Sequence, residues 1–170
     1  MGKFYERAVD DLIAHVRQLA WLQAAPTPKD TQKKLKTDTS TKTRPMTRLQ
    51  QIEHQGLAPA LPPAGPAAHL LGYLFDAGPV GYGAMGEVPL SHGELAAWQH
   101  NTGVELQAWE SRALRRLSTE YVSASNQATE PDCPPFYLPA DELQDRRQDV
   151  ASRVRGIFGA LTKPQPAKAH

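Results

Sequence analysis

Apolar residues recur at helical spacing in successive stretches of the chain, and the polar positions between them mark the ends. Residues 2–24 place Phe4, Ala8, Leu12, Val16, Leu19 and Ala20 on one broad face with Val9 and Ile13, and Glu6, Asp10, Arg17 and Gln18 on the other. Residues 46–54 repeat the pattern briefly, with Leu49 and Ile52 inward and Gly56 as the stop. Leu70, Leu71, Leu74 and Phe75 make the buried face of a third helix, which Pro66 can open and Gly78-Pro79 ends.

The stretch from Pro89 to Val122 carries the strongest signals. Ser91 and Glu94 are spaced as a capping box, and Leu90 and Leu95 as a hydrophobic staple. Leu95 and Trp98 share a face, and Asn101-Thr102-Gly103 supplies a left-handed stop. A second helix follows from about Gln107 to Val122. Its stripe is Trp109, Ala113, Leu114, Leu117 and Tyr121, with Arg112, Arg115 and Arg116 off that arc. Glu110 falls among the apolar positions in the first turn, where a carboxylate is favoured by the helix dipole. A local cap or half-buried acid is the expected role, since no base or nucleophile is spaced to work with it. A last helix from about Asp141 to Leu161 has a narrow stripe of Leu143, Val150, Val154, Ile157, Phe158 and Leu161 between charged flanks.

The expected fold is therefore all-α: a small core of about four short helices, with a tethered N-terminal amphipathic helix and a C-terminal helix. The boundaries are an amphipathic arm at 1–25, a basic disordered linker at 26–45, the helical core at 46–124, a linker at 125–140, the C-terminal helix at 141–162 and a tail at 163–170.

Composition sharpens this division. Fifteen prolines and twelve glycines leave much of the 170-residue chain to loops. The net charge of +1 gives no global pull toward nucleic acid or anionic lipid. The charge is uneven, however. Residues 26–45 hold six basic and two acidic groups, whereas 46–129 hold four basic and seven acidic ones. The segment APTPKDTQKKLKTDTSTKTRP has too few apolar residues to offset chain entropy, so it is expected to be disordered. The lone Cys133 suits a reducing compartment. No apolar run is long enough to span a bilayer, and acidic residues near the start are unlike a signal peptide.

Candidate chemistry is sparse. Gly81, Gly83 and Gly86 spell G-x-G-x-x-G, but a helix precedes them where the dinucleotide fingerprint needs a strand, and Pro89 follows. A mobile glycine loop carrying Tyr82 and Met85 is the expectation. His92, Glu94 and His100 lack metal-ligand spacing, and His69 beside an apolar run is expected at a boundary. No nucleophile motif appears. No enzyme activity, cofactor, metal or small-molecule substrate is expected.

Residues 46–124 resemble the tail assembly chaperones of long-tailed bacteriophages and prophages. The resemblance lies in the order of Gln55-Gly56, Pro63, Phe75, Gly78-Pro79, Pro89-Leu90-Ser91, Glu94, Trp98, Thr102-Gly103, Leu106, Trp109-Glu110, Leu114, Leu117 and Tyr121. It covers a little under half of the chain, and Met46 reads like a family start, so 1–45 is expected to be an added arm. The resemblance implies a non-virion factor in the cytoplasm of the bacterial host. It would coat the tape measure protein and help recruit tail tube subunits, in some members beside a frameshift-related chaperone partner. The expected partner-binding residues are Leu12 and Val16 on the arm, Tyr82 and Met85 on the loop, and Ile157 and Phe158 on the last helix. Ser91, Glu94, Trp98, Trp109, Glu110, Leu117 and Tyr121 are expected to be structural. The rivals are a helix-turn-helix DNA binder at 91–122 and a minor structural protein of the tail or head completion. Against DNA, residues 90–124 carry four glutamates and three arginines.

Overall fold

The computed structural model describes residues 3–26 and 45–161. Most of the basic linker expected at 26–45, and the tail at 163–170, lie outside the described residues. The described chain is predominantly α-helical: α1 (Lys3–Gln23), α2 (Arg48–His54), α3 (His69–Ala77), α4 (His92–Thr102), α5 (Ala108–Ala128) and α6 (Ala140–Leu161). Two short strands, β1 (Gly81–Gly83) and β2 (Gly86–Val88), form the single sheet among the described residues. The chain divides into two compact units, Met1–Tyr137 and Leu138–His170.

In the first unit α5 is the hub, packing against α1, α3, α4 and β2. Its apolar stripe explains this, because Ala113, Leu114, Leu117, Tyr121 and Ala124 recur along one side and are all buried. The helix runs six residues past Val122, to Ala128. Ala124 and Ala128 extend the buried stripe there, and alanine is the strongest helix former.

The N-terminal helix corrects the expectation of a tethered arm. α1 lies along α5, and Ala8, Val9, Leu12, Val16 and Ala20 join the common core. Leu12 and Val16 are fully buried, so neither offers a surface to a partner. Each fully buried side chain of this size is worth about 1.5–3 kcal/mol, and that gain is realised at home. Polar groups fasten the same helix: the Tyr121 hydroxyl donates to Gln23 Oε1 at 2.6 Å, and Gln18 Nε2 donates to the Ala60 carbonyl at 3.1 Å.

The short α2 is capped as a box by Thr47 and Gln50 and stopped at Gly56, whose φ is +72°. Its most buried residue is Arg48, 6% exposed, whereas Leu49 and Ile52 are only half-buried. The guanidinium donates to the carbonyls of Ala128 and Glu130 and lies 4.8 Å from the Trp21 ring centroid. Burial pulls its pKa below the ordinary value. Arg48 thus closes the C-terminus of α5, where helix carbonyls lack partners.

The segment after α5, expected as a linker, is held against α1. Trp21 Nε1 donates to the Cys133 carbonyl at 2.9 Å, the Tyr137 amide donates to Gln18 Oε1 at 2.9 Å, and Arg17 stacks 4.6 Å from the Phe136 ring centroid.

The second unit is carried by α6, whose first turn holds Asp141 and Glu142, as the helix dipole favours. Leu143, Val150 and Val154 are exposed on it.

Candidate functional site

The glycine-rich segment, expected as a mobile loop, forms an antiparallel hairpin with Ala84-Met85 as its two-residue turn. Gly81 pairs with Val88, Tyr82 with Glu87, and Gly83 with Gly86. Its glycines serve the hairpin. Gly86 has φ +122°, which side-chain-bearing residues rarely adopt. A Cβ on Gly81 would come within 2.7 Å of Glu94 Oε1 at the start of α4. The dinucleotide look-alike is therefore accounted for by turn geometry and close packing.

A lone hairpin is marginal in water, and this one is anchored at its base. The fully buried Ser118 on α5 is the anchor. Its hydroxyl donates to the Pro79 carbonyl at 2.7 Å and accepts from the Leu90 amide at 2.8 Å, joining the two stems that flank the strands. Arg115 Nε adds a bond to the Leu90 carbonyl at 3.2 Å, and Leu90 itself is buried. On the far side of this base stands the Ser91–Glu94 capping box, with the Ser91 amide donating to Glu94 Oε2 at 2.7 Å. Bonds from the Ser91 amide and hydroxyl hold the Glu94 carboxyl below its ordinary pKa.

Apolar side chains of the anchored hairpin face solvent from its base to its turn. Met85 is fully exposed and Tyr82 is 82% exposed, with Val88 also exposed. An apolar tip on a fixed stem offers contact area without much ordering entropy to lose on binding.

Two other surfaces are built differently. A band of half-exposed rings runs along α3, α4 and the start of α5: His69 and Tyr73 have centroids 5.6 Å apart, and Tyr73 and Trp98 5.4 Å. Tyr5 stacks 4.9 Å from Trp109. The polar tips of both tryptophans are satisfied within the chain, Trp98 by Asp76 and Trp109 by Gln107, each at 2.8 Å. Glu110 accepts from the Gln107 amide, the bond of a capping acid, and its other oxygen lies 3.1 Å from His69 Nε2 on α3. This band stiffens the helix junction. Between α1 and α5 lies an open groove of about 480 Å³, lined by Asp10, Ile13, Arg17, Arg116, Glu120 and Phe136. Its charges answer one another, Arg116 with Asp10 at 3.3 Å and Arg17 with Glu120 at 3.8 Å.

Of the expected partner-binding residues, the structure leaves Tyr82 and Met85 exposed on one hairpin and buries Leu12 and Val16. The side chains of Ile157 and Phe158 lie outside the described residues, although their backbone belongs to α6. Leu117 and Tyr121 are buried in the core as expected. Trp98, Trp109 and Glu110 sit at its edge, and Ser91 and Glu94 are exposed and act through the cap. Ser118 was not singled out in the sequence. Its one signal is a serine at the edge of the apolar arc, between Leu114 and Val122 on the helix surface, a position that requires a partner when buried. Among the described residues no group of three or more His, Cys, Asp or Glu side chains converges as a metal site, and no helix is long and apolar enough to cross a membrane.

Compared with protein-family models, with curated proteins and with solved structures, the chain matches none.

Proposed function

We propose that this protein is a tail assembly chaperone: it binds the tape measure protein of a long-tailed phage through the hairpin tip and helps bring tail tube subunits to it. It makes and breaks no covalent bonds. The observation that carries the reading is the fully exposed Met85 beside the exposed Tyr82, on a hairpin clamped by Ser118. The resemblance of residues 46–124 to that chaperone family supplies the identity of the client. A growing tape measure chain exposes apolar helical stripes, and a small apolar tip makes contacts weak enough for tube subunits to displace.

The arrangement disfavours the DNA-binding alternative. Arg115 is engaged with Leu90 and His92, and Arg116 with Asp10, so two of the three arginines near the α4–α5 turn have intramolecular partners. A phosphate-reading helix needs them free.

Co-expression with the tape measure protein tests the proposal. The wild-type chain is expected to keep the client in the soluble fraction, and the double variant Tyr82→Asp, Met85→Asp to lose this while its own thermal melt is unchanged. A double variant that protects the client as well as the wild type does would overturn the hairpin as the client surface. Detection of the chain in purified particles would favour the alternative of a retained structural protein.

A further inference from the structure

We propose that α6 is a docking helix for a second amphipathic helix, on another polypeptide, whose apolar seam is edged by carboxylates. The inference stands on α6 alone and goes beyond the hairpin and its client.

The first observation is a seam that is exposed and narrow. Leu143, Val150 and Val154 are 40%, 59% and 44% exposed, and with Arg147 and Ala151 they line one shallow apolar groove along the helix. In sequence the seam is Leu143, Arg147, Val150, Val154, Ile157 and Leu161. The steps alternate between four and three residues, the repeat by which one helix packs along another.

The second observation is the placement of charge around that seam. Residues 140–161 carry four arginines and four carboxylates, so the helix has no net charge. The two signs are nonetheless unevenly placed. At 100° per residue, Arg146, Arg147 and Arg153 fall within about 80° of the centre of the seam, and Arg155 about 120° from it. Glu142 and Asp149 fall about 100° and 120° from it, and Asp141 and Asp145 about 160°. Arg147 lies in the seam and, among the described residues, has no ion pair, whereas Arg153 is bonded to Asp149 at 2.8 Å. A helix laid on this face therefore meets Arg147 in the seam and arginines along one edge before it meets the acids.

That border decides the occupant. A second copy would set Arg147 and its neighbouring arginines against the same groups of its partner, with no carboxylate at the seam to answer them. A lipid surface would call for a broad apolar face, and this seam spans only about 100°. A helix with Glu or Asp at its edges satisfies both the apolar contact and the charge.

The experiment uses the full chain and two synthetic amphipathic helices with the same leucine seam, one edged with glutamate and one with lysine. Binding is read by fluorescence anisotropy at low and high salt. The glutamate-edged probe is expected to bind roughly tenfold more tightly or better, with the gap narrowing as salt rises. Arg147→Glu with Arg153→Glu should reverse the preference, and Val150→Asp should abolish binding of both probes with the core melt unchanged. Equal affinity for the two probes, or binding of neither, would overturn the proposal. So would concentration-dependent self-association that blocks the probe, or stronger binding to phosphatidylglycerol vesicles than to either helix.

Discussion

Ser118 shows how one side chain can place a surface. Fully buried and bonded to both stems of the hairpin, it replaces water for the Leu90 amide and the Pro79 carbonyl at once. Ser118→Ala leaves those two groups without a partner, which predicts a loss of about 1–3 kcal/mol by chemical denaturation. Amides of residues 80–90 should also exchange faster in the variant, because the anchor of a marginal hairpin is gone. Glu94 acts on the other side of the same base, and its effect should depend on pH. Its folded-state pKa is depressed from the ordinary value of 4.5, so the cap stabilises the fold above that value. The stabilisation is lost as pH falls through the lower, folded-state pKa. The advantage of the wild type over Glu94→Gln in thermal melts should therefore be present at neutral pH and shrink below 4.5.

At the scale of elements, local signals were legible in the sequence and partnerships were not. The Ser91–Glu94 box, the Gly103 stop and the stripe of α5 appear where residue spacing places them, because caps and 3.6-residue periodicity are decided within a few residues. What an amphipathic face packs against is decided elsewhere in the chain. The face of α1 reads the same whether it meets this core or another protein, and the basic segment after it gives the second reading nearly the weight of the first. The glycine segment misled for a related reason. Its strands are three residues each, too short to show alternation, and glycine at 81 is explained only by Glu94 coming in from α4. Arg48 was invisible because a cation in a short helix ordinarily faces water, and its partners lie some 80 residues away. The corrected role of α1 gives a prediction. Leu12→Ala should destabilise the first unit by about 2–5 kcal/mol in denaturant titrations, because it opens a cavity in the shared core. An arm that docked only on a partner would leave stability unchanged.

At the scale of the whole molecule, six of the ten large apolar side chains exposed among the described residues lie on two elements, the hairpin in one unit and α6 in the other, and the rest are Tyr5, Met46, Leu57 and Leu61. In the first unit the helix stripes close on a common core, and two ion pairs span the α1–α5 groove. On the proposed reading the clamped hairpin is the surface that meets the client. Hydrogen–deuterium exchange of the chain, alone and bound to the tape measure protein, decides this. Amides of Gly81–Val88 should slow markedly in the complex while those of α1 and α5 keep their rates; exchange at Gly81–Val88 that is the same in the complex as in the free chain would contradict the account.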